Sequence, residues 1–467
     1  MKTQRLLLLS FVTGLLASVI LFGSQPTKAQ SQIYISVGEA SVRKSLLAIP
    51  SFLYFSSSKK REDLNLGESL FKVINNDLQV SGFFTFIKPA AFLENPAQTS
   101  LKPAPGDPNG FNYKNWKTIG AEFLIRGGYK VSGGNISFDV YIYHVPQAKL
   151  IFGKTYEGKK STVRKIAHTF SNDLVKALTG KSGMFTTKIV ASRSSDPPRA
   201  KEIFVMDWDG ANPEQITNHK SLAISPAWSS DGESVAYTAF AYHPKAKTRN
   251  ADLFIYKIKS KRRFLVSYRK GINSGAAYFP NKDKMLLTIS QGGSPDIFEM
   301  APDGKKLERI TRGPGKSMNV EPAISSDGKT IAFSSDRSGR PMIYTMTASG
   351  KNVKRLTFAG KYNASPTWSP DGKKIAFAGF DKGHFDIFII NKDGSGLTRL
   401  TKAKKANGKW SDNESPTFSP DGRHIMFTSN RSGTNQLYVV SPDGSNERRI
   451  TFDRYNYEKP KWSPILN

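Results

Sequence analysis

A short pattern returns six times over the second part of the chain, and a repeat of this length leaves few folds open. It reads Pro-x-aromatic-Ser-Pro/Ser-Asp-Gly. The clear copies are Pro226-Ala227-Trp228-Ser229-Ser230-Asp231-Gly232, Pro366-Thr367-Trp368-Ser369-Pro370-Asp371-Gly372 and Pro416-Thr417-Phe418-Ser419-Pro420-Asp421-Gly422. Pro322 opens a copy with Ile324 at the aromatic position, Ala276 opens a worn one and Pro460 a truncated one. The starts are 50, 46, 44, 50 and 44 residues apart. Two further patterns keep the same period. One is an apolar run ending in a turn, at Ile203-Phe204-Val205-Met206, Leu253, Ile297, Ile343, Ile387 and Leu437. The other is Arg-Ile/Leu-Thr, at Arg309, Arg355, Arg399 and Arg449, with weaker members at Ile216 and Leu265.

A period near 45 residues, with several short strands and turn residues per unit, predicts the blades of a β-propeller. Asp-Gly between two β-prone runs supplies the positive-φ corner of a hairpin. Runs such as Lys374-Ile375-Ala376-Phe377 alternate, so one face enters a core. The Pro is expected where a strand begins, since its missing N–H then costs no ladder bond. The order of the copies predicts how the ring closes. The apolar run appears first, at Ile203, before any Pro-x-aromatic unit, and the last Pro-x-aromatic unit has no apolar run after it. The segment Lys459 to Ser463 should therefore supply the inner strand of the first blade. Six complete blades result, and closure removes the open edge. An open solenoid has no use for a split blade.

Residues 30–180 have another texture. Ile33-Tyr34-Ile35-Ser36-Val37 and Ser45 to Pro50 are strand-like. Glu68 to Leu78 sets Leu70, Phe71, Ile74 and Leu78 on one helical face. A polar loop, Asn95 to Asn112, precedes an antiparallel meander in three segments, Ala121 to Val131, Asn135 to Val145 and Lys149 to Tyr156. Thr162 to Leu178 is a second amphipathic helix, stopped by Gly180. The fold class expected is an α/β N-terminal domain over 30–180, then an all-β six-bladed propeller over 184–467, closed by the C-terminal strand.

The first residues set the compartment. Lys2 and Arg5 precede an apolar stretch, Leu6 to Phe22, and a polar segment leads to Thr27 and Ala29. This is the pattern of a secretory signal, with cleavage expected after Ala29. An uncleaved anchor is the alternative, because the apolar run is nearly long enough to span a bilayer. No Cys follows, so lipid anchoring there is excluded; with no Cys anywhere, so are disulfides and thiol chemistry. The chain carries 68 Lys and Arg against 38 Asp and Glu, a net +30 that becomes +27 once the leader's three bases are gone. Such an excess ordinarily suggests nucleic acid. Export redirects it to lipid head groups, wall polymers and acidic proteins, and no nucleic-acid partner is expected.

The mature chain resembles the TolB family, the periplasmic propellers of the Tol–Pal envelope system. The residues that carry the resemblance are Ile33 to Gly38, Lys44 to Pro50, Ile119 to Gly127, the junction Leu178-Thr179-Gly180-Lys181-Ser182-Gly183-Met184-Phe185-Thr186-Thr187-Lys188-Ile189, and the blade loop Ser335 to Pro341. The blade repeat is shared with propellers of serine peptidases, so the junction is the more specific part. The resemblance implies a monomeric, non-enzymatic binding scaffold in the periplasm, peripheral to the membrane and without a cofactor. It implies a partner, the peptidoglycan-associated lipoprotein of the outer membrane, and roles in envelope integrity and outer-membrane constriction at division. It also implies a switch segment, Ile33, Tyr34, Ile35, Ser36 and Val37, able to engage an inner-membrane Tol protein.

Lipoprotein contacts are implied for the loops entering each inner strand: Ile272, Asn273 and Gly275; Asn319, Val320 and Glu321; Asn363 and Ser365; Asn413, Glu414 and Ser415. The recurring Asn has a plainer reading as a turn residue that bonds nearby backbone. Loops between the second and third strands are expected on the same rim, with Arg193, Arg199, Lys245, Lys247, Arg249, Arg337, Arg340, Lys382 and Arg431. The departures are the worn second blade, the stronger basic balance and the apolar Ile272.

Other functions meet obstacles in the residues. A hydrolase of the peptidase type needs Gly-x-Ser-x-Gly, which does not occur. Gly180-Lys181-Ser182 resembles the end of a P-loop, but Val175 stands where its first Gly belongs, within a helix. His144, His168, His219, His243, His384 and His424 show no metal spacing, and the Asp-Gly turns lack the spaced acids of a Ca²⁺ loop. The alternatives are a propeller that binds anionic wall or outer-membrane polymers, or a hydrolase working in the propeller channel.

Overall fold

The computed structural model describes residues 43–57, 60–194, 200–243 and 248–466. The leader, the switch segment Ile33 to Val37, and Arg199, Lys245 and Lys247 lie outside the described residues.

The N-terminal domain is one mixed sheet covered on both faces. Its strands are β1 (Ser45–Ala48), β2 (Leu53–Tyr54), β3 (Phe84–Phe86), β4 (Phe123–Ser132), β5 (Asn135–His144) and β6 (Lys149–Lys159), in the order β3-β1-β4-β5-β6, with β2 also on β4. The expected meander is the antiparallel half. β1 pairs in parallel with both β3 and β4. Ile136, Phe138, Val140 and Ile142 alternate inward and are buried. They meet the apolar stripes of α1 (Arg61–Ser81) and α3 (Val163–Thr179), through Leu70, Ile74, Leu78, Ile166, Phe170 and Leu174. Gly180 ends α3 in the left-handed conformation, which costs glycine no Cβ clash. A short helix, α2 (Tyr113–Thr118), closes the other face with Phe111 and Trp116. Arg126 is buried inside the preceding loop, where it donates to the carbonyls of Pro96, Thr99 and Ser100.

Six four-stranded antiparallel sheets follow. The first blade is split: Tyr457–Trp462 is its inner strand, beside Lys188–Ser194, Lys201–Asp207 and Glu214–Gln215. The repeat motifs now have physical roles. In the Ser-x-Asp-Gly turn, the Ser229 hydroxyl donates to Asp231, whose carboxylate also accepts the Glu233 N–H; Ser325, Ser369 and Ser419 repeat the arrangement. The aromatic two residues after the Pro reaches the neighbouring blade: Trp228 Nε1 donates to the Lys461 carbonyl and Trp368 Nε1 to that of Ala323. The Thr of Arg-Ile/Leu-Thr accepts the N–H of the apolar strand, as Thr311 does from Ile297 and Thr357 from Ile343.

The role of the Pro differs from the expectation. Pro226 lies inside the strand Ala223–Trp228, not at its start. The inner strands are bulged there: the pairing register shifts between Ile224 and Ala227, and likewise in the other five blades. The bulge takes the Pro out of the ladder, so no bond is lost.

Candidate functional site

The propeller has two unlike ends. At one end the N-terminal domain is packed against the first and sixth blades. A single core runs across the junction, from Val80, Phe83, Leu178 and Phe185 to Met206, Trp208, Met426 and Ile450. The polar contacts are specific. His424 Nε2 donates to the Val80 carbonyl at 2.9 Å, Arg423 to that of Ser81 at 3.0 Å, and Arg448 to Asn76 at 2.6 Å. His168 on α3 is buried and holds Asp77 of α1 through Nδ1 at 2.8 Å. A ring nitrogen of His168 and carboxylate oxygens of Asp207 and Asp209 lie within 4.8 Å of one another. Arg164 and Lys188 already neutralise those carboxylates, so the cluster is an ionic latch between the domains. Burial tends to strip the imidazole of its proton, but the Asp77 and Asp209 charges outweigh it and raise the His168 pKa. Burial also raises that of Asp77.

The other end is a rim of loops. Loops between second and third strands meet loops that lead into the next blade: the Asn319 N–H donates to the Pro295 carbonyl, Asn363 to Pro341 and Tyr457 to Asn435. Asn273, Asn319, Asn363 and Asn413, expected as contact residues, are buried here. Each holds its loop: Asn273 donates to the carbonyls of Ala251 and Arg269, Asn319 to Asp296, Asn363 to Thr357 and the Ala359 carbonyl, and Asn413 to Asp386. Arg337 and Arg431 donate to Asn319 and Asn413 while lying over Phe333 and Tyr344, and over Phe427 and Tyr438. Arg193 lies over Phe204 and Tyr455 in the same way. These residues brace the rim instead of facing solvent.

Of the remaining expected residues, Ile272, Glu414, Arg249, Arg340 and Lys382 are exposed, and Val320 is half-buried. Gly275, Glu321, Ser365 and Ser415 line the central channel beneath the rim. Lys459 Nζ crosses the channel to Glu321 Oε1 at 2.7 Å, and the Ser365 N–H donates to Glu321 Oε2 at 2.7 Å. Burial alone would raise the Glu321 pKa. The Lys459 ammonium and the Ser365 donors prevail and hold it at about 2.

The sequence reading missed the aromatic side chains of this rim. Tyr242, Tyr268 and Trp410 are 56%, 55% and 45% exposed, and Tyr362 and Ile272 stand beside the inner strands. Trp410 stacks on His384 at 4.8 Å and carries Lys404 over its ring. The available signal was an aromatic between several Arg-Ile/Leu-Thr-type motifs and the next repeat start, as at Tyr268, Tyr362 and Trp410, where a turn needs none. Exposed Lys220, Lys270, Arg312, Lys316, Lys361, Lys402 and Lys409 surround these groups. An open face of aromatic groups within a basic field suits an acidic protein surface.

Known proteins agree with this architecture. The family model described as the TolB beta propeller domain matches residues 175–466, and the TolB amino-terminal domain matches residues 33–151. A TolB homolog protein of Chlorobium chlorochromatii is 34% identical over 69% of this chain and 68% of its own length. The Tol-Pal system protein TolB of Desulfosudis oleivorans is 33% identical over 60% of this chain, which spans 61% of that relative. The crystal structure of TolB from Acinetobacter baumannii superposes with a TM-score of 0.74 at 24% identity, covering 93% of this chain and all of that one, and so shares the fold. By both of its domains, the chain belongs to the TolB family.

Proposed function

We propose that this protein is a non-enzymatic binding scaffold of a Tol–Pal system in the periplasm. Its open rim docks the peptidoglycan-associated lipoprotein of the outer membrane, and through that contact it supports envelope integrity and constriction at division. The N-terminal segment, Ile33 to Val37, engages an inner-membrane Tol protein. The observation that carries the reading is the asymmetry of the propeller. At one end the first and sixth blades are covered by the N-terminal domain, and the opposite rim presents exposed Tyr242, Tyr268, Ile272 and Trp410 within a basic field. Aromatic residues are enriched at protein–protein contacts relative to the rest of the surface, so their exposure around one rim marks a docking face. Family membership supports the Tol–Pal assignment. Among the described residues no helix is long and apolar enough to cross a membrane.

The test is calorimetric titration of the purified protein with the lipoprotein of the same organism at two salt concentrations. Binding at micromolar or tighter Kd, weakened by salt, is expected, because the basic rim attracts an acidic surface through screened charges. Absence of binding at both salts would remove the lipoprotein and leave anionic wall or outer-membrane polymers as the ligands to try.

A further inference from the structure

The six bulges lie at one level of the channel and place one residue each in the left-handed region: Ser225, Gly275, Glu321, Ser365, Ser415 and Lys459, with φ between 50° and 67°. Three of the six differ in chemistry from a plain turn, because Glu321 and Ser365 bond one another and Lys459 reaches both. The Glu321 carboxylate thus accepts a backbone N–H, a hydroxyl and an ammonium inside the channel. It shows what this ring is built to receive, which is a carboxylate.

Half of the ring is left over. Ser225, Gly275, Ser415 and Lys461 line the same cavity, about 70 Å³ in volume, together with Glu321, Ser365 and Lys459. That is room for about two waters or one carboxylate-sized group. The Lys461 backbone carbonyl accepts from Trp228 Nε1, which fixes the backbone at this level of the channel. Among the described residues Lys461 has no ion-pair partner, unlike Lys459. The cavity lining holds two ammonium groups against one carboxylate. Enclosure by protein, and then repulsion from Lys459, bring the Lys461 pKa down to about 8. The Glu321 charge also acts on Lys461, but its carboxylate is bonded to Lys459 and Ser365; an enclosed ammonium with no pair of its own is costly, and an anion from outside would relieve it. Glu414 is exposed and its charge acts on Lys459.

We propose that the channel beneath the open rim is a small-anion site. Lys461 Nζ is its charged ligand, the Ser225 and Ser415 hydroxyls lie beside it, and it takes a carboxylate or an inorganic oxyanion. The site does not depend on which protein docks on the rim.

Calorimetric titration of the whole protein at fixed ionic strength tests it, with three probes: sodium formate, sodium phosphate, and N-acetyl-aspartate amide as a protein-borne carboxylate. Saturable one-to-one binding of at least one probe is expected. It should weaken about tenfold or more in Lys461→Met. It should also fade as pH rises through the range where Lys461 loses its charge, and Lys461→Arg should abolish that pH dependence because guanidinium stays charged. Lys461→Met removes an unpaired charge, so it keeps the fold, which circular dichroism checks. Binding of formate or phosphate makes the ligand a free anion; binding of the aspartyl probe alone makes it an acidic side chain presented by a docked protein. No saturable binding of any probe, or equal binding by Lys461→Met, overturns the proposal.

Discussion

The two ends of the propeller are made by the same repeat and have opposite fates. At the end where the N-terminal domain seals the first and sixth blades, three cations have fixed acceptors: Arg164 on Asp209, Arg423 on the Ser81 carbonyl, Arg448 on Asn76. An apolar core joins the two domains behind them. At the open end Arg340 and Lys382 extend into solvent among exposed tyrosines and Trp410. The difference teaches how to separate permanent from exchangeable contacts. A permanent interface buries large apolar side chains and ties its cations to fixed acceptors. An exchangeable one keeps its charges hydrated and its aromatic surface open, ready to be covered.

The contrast is broken most forcefully at the sealed end. Trp208 is fully buried there, against Phe185 with ring centroids 5.7 Å apart. Trp208→Ala should cost about 3–5 kcal/mol, the usual loss for a large aromatic in a core. Urea unfolding followed by both fluorescence and circular dichroism should show this and separate the two domains into distinct transitions. A loss under about 1 kcal/mol would mean that the domains are not held by this core.

Asn319 sharpens the comparison from the other side, since it sits at the open rim yet behaves as a sealed-end residue. It is buried, donates to Asp296 and accepts from Arg337. Asn319→Ala leaves two charged groups short of a partner, at a cost of about 1–3 kcal/mol. A melting temperature unchanged from the parent would return Asn319 to the class of exposed contact residues.

These two residues also mark how far the sequence could be read. The blade count, the split first blade and the amphipathic helices were legible because each rests on a local period or turn chemistry. The parallel pairing of β1 with β3 and β4 was not, because parallel partners are distant in sequence and no turn announces them. The rim was legible as a place but not in its parts. A polar residue in a loop, such as Asn319, and an exposed aromatic, such as Trp410, look alike in sequence until burial separates them. Lys461 was legible only as strand, since what isolates it is the neutral or apolar residues at its level in the other blades.

The latch at the sealed end makes stability depend on pH. The His168 pKa is raised in the folded state, chiefly against the pull of burial by Asp77. A raised histidine contributes stability that is full below the unfolded value, near 6.5, and is lost as pH climbs through the folded value. Asp77, also raised, acts in the same direction, because the folded state again binds more protons than the unfolded. The parent should therefore lose more stability than His168→Asn between pH 6 and pH 8, as read from urea midpoints. Parallel pH profiles for the two proteins would show that the latch does not titrate.

The smallest effect on stability is expected where the effect on binding is largest, and that pairing is what defines an exchangeable surface. Trp410 is exposed and its loop is fixed by other groups: the Ser411 N–H and hydroxyl both donate to the Ala403 carbonyl, and the Asp412 N–H donates to Asn430. Removing the indole exposes the His384 ring but leaves no buried donor unpaired in that loop. Trp410→Ala together with Tyr268→Ala should shift stability by no more than about 0.5 kcal/mol, the range of ordinary surface changes. If the rim is the docking face, the pair should weaken lipoprotein binding by about tenfold or more, because exposed aromatics are the usual anchors of such contacts. Reversing charge at Arg340 and Lys382 to Glu should act differently, slowing association and flattening its salt dependence with a smaller loss of affinity. Full binding by the aromatic double variant would place the partner elsewhere on the propeller, even with the fold and its two unlike ends intact.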